Sequence, residues 1–205
     1  MSIQKMKLRN SLLVLCVLVA GSLRLLGASS VFIPLTNFTP ICAMALFGGT
    51  YFSNRIHSFL FPLLALLLSD LLLMQVFYPG MRSGLLYSGW GWTYGAFLLM
   101  IGMGSLIKKV TLKNMVIAAV SAALVHWILT DFGVWISGGL DVSTGKTLAP
   151  NLQGWIQCNL QALPFLKNMI MSNLVYCSLM FGGFEYAQRR FKNLQVSKIP
   201  QPSIV

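Results

Sequence analysis

The sequence predicts an all-α, polytopic membrane protein of six transmembrane helices, and three observations carry that reading. Apolar stretches near the ~20 residues needed to cross a bilayer recur from end to end. Only 9% of residues are charged, against about a quarter in an ordinary soluble domain, and mean hydropathy is +0.73. The basic residues gather in short segments between the apolar stretches. With 205 residues there is no room for a second domain, so 1–205 reads as a single integral membrane domain.

The helices follow from apolar runs and their breakers. The first is expected near 10–28. Lys5, Lys7 and Arg9 precede the apolar Leu12 to Ala20 as in a signal peptide, but Arg24 interrupts the end and further spans follow, which predicts an uncleaved first helix. The second, near 40–53, is short: Thr39-Pro40 suits a helix start, and Gly48-Gly49 near its far end suits close packing. The third is expected near 56–77 and the fourth near 91–107, after Gly89-Trp90-Gly91-Trp92. The fifth, near 114–137, and the sixth, near 162–186, complete the set, with 187–205 as a cytoplasmic tail.

Charge placement then orients the chain. A formal charge of +11 would suggest nucleic acid in a soluble protein, yet here the cations sit between spans, so no nucleic-acid partner is implied. The N-terminus, Arg55, the stretch Lys108, Lys109 and Lys113, and the tail with Arg189, Arg190, Lys192 and Lys198 hold eleven of the fifteen Lys and Arg. Six helices put all of them on one side, and the positive-inside bias makes that side cytoplasmic, with both termini there. These cations also suit membrane lipids with anionic headgroups. The opposite segments differ: 29–39 is uncharged, 78–90 has only Arg82, and 138–161 is a long loop with Asp141 and Lys146, so they can cover a pocket. Tyr78, Tyr87, Trp90, Trp92, Trp135 and Trp155 cluster at this level, first of all as an interfacial belt.

Four charges fall inside expected spans: Arg24, Asp70, Asp131 and Lys167. Each costs about 2.5–3.5 kcal/mol even on the lenient insertion scale, so each needs a partner, a wet cavity or the interface. In one reading the two cations snorkel and pair with the two acids to hold the bundle together. In the other they line an outward-facing cavity for a polar solute. Trp127, Asp131 and Trp135 recur every fourth residue and form one aromatic-acidic stripe, and Asn168 lies at the depth of Lys167. His126 reads as a neutral histidine hydrogen-bonded within the bundle, and Ser172 and Asn173 as interhelical hydrogen-bonding groups. Cys42 and Cys158 are expected near the outer surface as small packing residues, with soft metal ligation or a disulfide as the alternative. No zinc spacing, nucleophile elbow or phosphate loop occurs, so no enzyme, cofactor or resident metal is expected.

Asn37-Phe38-Thr39-Pro40, Ala45 to Gly49 with Tyr51-Phe52, and Leu66 to Asp70 resemble the first half of a bacterial family of small membrane proteins. The second half agrees with Trp127, Asp131 to Trp135, Ala162-Leu163-Pro164-Phe165 with Asn168, and Phe181-Gly182-Gly183 with Glu185. That family in turn is similar to the substrate-binding S-components of energy-coupling factor (ECF) vitamin transporters, nearest the solitary cobalamin S-components. The resemblance implies a six-helix ECF S-component-like bundle in a bacterial cytoplasmic (inner) membrane, with a vitamin pocket on the outer side. It also implies partners, a membrane coupling protein and ATPases. Two positions depart: helix 1 offers only Ala20 to Arg24 where such proteins carry an Ala-x-x-x-Ala surface, and 78–90 lacks the cysteine that ligates cobalt in the cobalamin branch. The function expected is uptake or binding of a vitamin-like solute through Asp70, Trp127, Asp131, Trp135, Asn168, Arg24 and Lys167. The alternative is a non-transporting scaffold for a cell-envelope assembly.

Overall fold

The computed structural model describes residues 3–29, 38–191 and 194. Asn37 of the expected helix start, and Lys192 and Lys198 of the tail, lie outside the described residues. The described chain forms six helices: α1 (Ile3–Ser29), α2 (Ile41–Tyr51), α3 (Arg55–Leu72), α4 (Trp90–Ser105), α5 (Leu112–Ile136) and α6 (Leu152–Arg190). Leu73–Phe77 continues α3 as a π-helical turn. A small hairpin follows, with β1 (Arg82–Ser83) antiparallel to β2 (Leu86–Tyr87), Ser83 opposite Leu86. Gly84 at φ 80° makes the left-handed turn between them.

Three segments are long and apolar enough to cross a membrane: Leu8–Leu25, Arg55–Phe77 and Leu112–Ile136. The second helix is shorter than the sequence suggests. Its 11 residues rise roughly 16 Å, about half of a bilayer's hydrocarbon core. Pro40, not Thr39, occupies its N-cap position, without a side-chain cap. The Pro40 carbonyl accepts from Met44 N–H at 2.8 Å. The sixth helix departs the other way, beginning at Leu152 where a loop was expected to run to 161. Asn151 caps it by accepting from Gly154 N–H at 3.0 Å. Gly154, Cys158 and Ala162 then form a buried small-residue stripe, while Gln153, Asn159 and Leu160 stay partly or fully outside.

The core is built around α2. Its sequence is apolar all round, the pattern of a helix buried on every face, and every residue except Thr50 is buried. It packs against all five other helices, most extensively against α4. Glycine makes that crossing possible. A Cβ on Gly49 would run into the Ile101 carbonyl and the Ser105 amide, and one on Gly104 into Leu46. Thr50 Oγ1 seals the crossing, its one hydroxyl proton lying between the carbonyls of Leu46 (2.8 Å) and Gly104 (2.9 Å). On the other flank α2 meets α3 where Gly48 leaves space for the Pro62 ring.

The two ends of the bundle differ. At one, the start of α1, the α2–α3 turn and the end of α6 converge. Arg9, only 4% exposed, donates from Nη2 to the Tyr51 carbonyl (2.5 Å) and from Nη1 to Ser53 Oγ (3.3 Å). Tyr51 in turn donates its hydroxyl proton to Glu185 Oε1 at 2.7 Å. The α4–α5 link with Lys108 and Lys109 lies at this basic end too, because Gly104 is fixed beside Thr50. Arg9 is thus a buried strut and not a solvated loop charge. The hairpin and the α5–α6 connection lie at the opposite end, called the hairpin end below.

Candidate functional site: a buried polar cluster at the hairpin end

Helices α1 and α3 bring Arg24 and Asp70 together. Arg24 Nη1 lies 2.5 Å from Asp70 Oδ1, with the side chains 11% and 0% exposed. The same nitrogen donates to Ser69 Oγ at 2.8 Å, and Ser69 passes its own proton to the Leu66 carbonyl at 2.8 Å. Tyr94 on α4 donates its hydroxyl to Asp70 Oδ2 at 3.0 Å. Both carboxylate oxygens therefore have partners, which is the condition under which an ion pair can stay out of water. Three helices are joined through one carboxylate.

At the same end lies a groove of about 390 Å³ between the hairpin and the ends of α4 and α5, which none of these four side chains lines. Tyr87, Trp92, Thr93, Thr130, Gly133 and Ser137 line it. Tyr87 lies within range of the ion pair's charges: burial holds its phenol above the ordinary pKa, helped by the Asp70 charge and opposed by the Thr93 hydrogen bond and by Arg24. Tyr87 thus stays a neutral hydroxyl. Trp92 closes one wall, stacked so tightly on Gly133 that a Cβ there would collide with the indole. The groove offers hydroxyls and aromatic faces, and the fixed charges are not part of its lining.

The other expected residues separate into different settings. Trp135 belongs to an aromatic cluster with Phe132 (5.6 Å between centroids) and Trp155 (5.8 Å), to which Trp92 adds through Phe132 (5.3 Å). Its indole N–H is taken by the Ala149 carbonyl at 2.9 Å. Trp127 Nε1 and Asp131 Oδ2 are buried without a hydrogen-bond partner among the described residues. The Asp131 carbonyl accepts from Cys158 Sγ at 3.4 Å. Lys167 is exposed on α6, and no ion pair to it forms among the described residues. Asn168 is half-buried on the next position of that helix. Of the four charges inside expected spans, the structure pairs Arg24 with Asp70 and leaves Asp131 and Lys167 apart.

Several members of the cluster have no obvious signature in the sequence. Ser69, Thr93 and Tyr94 are ordinary polar residues within apolar runs, and Tyr87 reads as belt. His126 lies close enough to feel the Arg24 charge, and its buried Nδ1 has no partner among the described residues. The cysteines are all free. Cys42 is buried next to Asn173 and close to Cys177, and not near Cys158. Asn173 Nδ2 reaches across to the Ala119 carbonyl at 3.1 Å, the interhelical bond expected of it. Among the described residues no group of three or more His, Cys, Asp or Glu is placed to hold a metal ion.

Fold and cluster together define a helical, multi-pass membrane protein with a desolvated ion pair and a groove at one end. The chain belongs to a family of unknown function, DUF6580, whose model matches residues 4–196. The comparisons with curated proteins and with solved structures give no match.

Proposed function

We propose that this protein binds a small, vitamin-like polar solute in the groove at the hairpin end, as an S-component-like subunit or solitary transporter. In this reading the six-helix bundle crosses a bacterial cytoplasmic membrane, both termini face the cytoplasm and the groove opens outward. The observation that carries the proposal is a groove of small-molecule size at the same end as the Arg24–Asp70–Tyr94 cluster, with its lining residue Tyr87 within range of that cluster's charges. Pockets that bind small molecules are mostly apolar concavities of about 300–1,000 Å³ with a few convergent polar groups. The polar atoms of His126, Trp127 and Asp131 at the same end of α5, unpartnered among the described residues, add hydrogen-bonding capacity. Energy for uphill uptake would come from a partner ATPase module or an ion gradient.

Native mass spectrometry of the purified full chain tests this. A small molecule should co-purify, and Thr93→Val with Thr130→Val, which alter the groove without touching the ion pair, should release it. Purification free of any small molecule, with stable protein partners in its place, would support the scaffold reading.

A further inference from the structure

A second concavity lies at the basic end, between the close of α4 and the start of α5. It encloses about 550 Å³, with Met103, Leu106, Ile107 and Ile117 as walls and Lys108 and Lys109 among its lining residues. The link carrying the lysines is fixed in place. Asn114 donates from Nδ2 to the Lys109 carbonyl at 2.9 Å, and its backbone N–H is held by Thr111 Oγ1 at 3.2 Å. Lys113 follows on the first turn of α5 and is exposed.

No acid opposes these charges locally. The chain has four, at 70, 131, 141 and 185. The first three belong to the hairpin end, and Glu185 is engaged by Tyr51 and Gln188. Beside the lysines stand Leu106 and Leu112, 76% and 77% exposed. Cations and bare leucines side by side match one kind of molecule well, an anionic head on an apolar tail.

We propose that this groove is a binding site for an anionic phospholipid, with its phosphate between Lys108 and Lys109 and an acyl chain against Met103, Leu106 and Ile117. The apolar walls favour a lipid over free phosphate, which has no body to cover them. The site is independent of the solute groove and of whatever occupies that groove.

Lipid retention by the purified full chain, read by native mass spectrometry, tests the site. Phosphatidylglycerol and phosphatidylcholine with identical acyl chains are the probes. The wild-type chain should retain phosphatidylglycerol at least about tenfold better, and Lys108→Gln with Lys109→Gln should weaken that retention about thirty-fold, as expected for two surface cations. Ile117→Trp, which fills the groove and keeps both lysines, should weaken it as well, whereas Lys146→Gln at the other end should not. Equal retention of the two lipids, full retention by either groove variant, or displacement by equimolar inorganic phosphate overturns the proposal. Circular dichroism establishes that each variant is folded, and because Ile117 is 54% exposed, its replacement tests the site even if the lysine pair is needed for folding.

Discussion

A charge that has left water must be answered by its neighbours, and Asp70 is the residue where this matters most. Asp70→Asn leaves Arg24 without a counter-charge in a site almost closed to solvent, so we expect a loss of about 3–5 kcal/mol, the scale for breaking a buried pair. Replacing both partners by apolar residues, Arg24→Met with Asp70→Leu, should cost much less than either single change. Thermal melting in detergent across the wild type, Asp70→Asn, the two apolar single variants and their combination checks both statements. Retained solute in the folded double variant would show that the pair is a strut only. Outside the spans, Asp141 accepts from the hydroxyl and the amide of Ser143, which hold its carboxyl below the ordinary 3.8. A depressed carboxylate pKa contributes stability above its unfolded value and loses it as pH falls through the folded one. The α5–α6 turn should therefore keep full order above about pH 4 and loosen below it. The Ser143 amide shift should titrate below 3.8, and Ser143→Ala should move the midpoint up. At this scale the sequence revealed Arg24 and Asp70, because charges in apolar runs are conspicuous. It did not reveal Tyr94 or Ser69, whose importance comes only from which helix faces them.

Helices meet where their side chains allow it, and the α2–α4 crossing has almost no tolerance. The atoms that a Cβ on Gly49 would strike are backbone, which cannot rotate away. Gly49→Ala should thus lower stability by about 1–3 kcal/mol, the usual cost of overpacking. Gly182→Ala, with open space around it, should cost nothing measurable. Melting temperatures of the two variants in one detergent make the comparison. Most element positions could be read from apolar runs, and α3 and α5 fall within a few residues of expectation. The start of α6 could not, because Gln153, Gln157, Asn159 and Gln161 look like loop when only their polarity is considered. What the polarity hides is the buried stripe of Gly154, Cys158 and Ala162 on the other face, where Gly154 closes on the Ala149 backbone of the preceding connection and Cys158 on the Asp131 carbonyl of α5.

Across the whole molecule the polarity of the two ends is the organising fact. Basic side chains of the α2–α3 turn, the α4–α5 link and the end of α6 share one end, while the aromatic cluster and the groove share the other. If the basic end faces the cytoplasm, a reporter fused after Val205 should be active only there, and a cysteine introduced at Ser143 should react with an impermeant thiol reagent added outside. The opposite pattern would invert the groove and remove the basis for an uptake role. Charge counting made this asymmetry legible in advance, since it depends only on sums over segments. The central place of α2 was less legible: hydropathy identifies a helix without saying whether lipid or protein surrounds it.

That placement bears on how the chain is made. A helix of 11 residues is too short to be held in a bilayer on its own, since about 17–25 are needed. It is joined to α3 by only Phe52, Ser53 and Asn54, so the two would enter the membrane as one hairpin, with α3 as the anchor. Its final seat exists only when α4, α5 and α6 have been synthesised, because they complete the walls. Assembly of this protein is therefore a late event, in which a segment near the N-terminus waits for the C-terminal half of the chain before it can be enclosed.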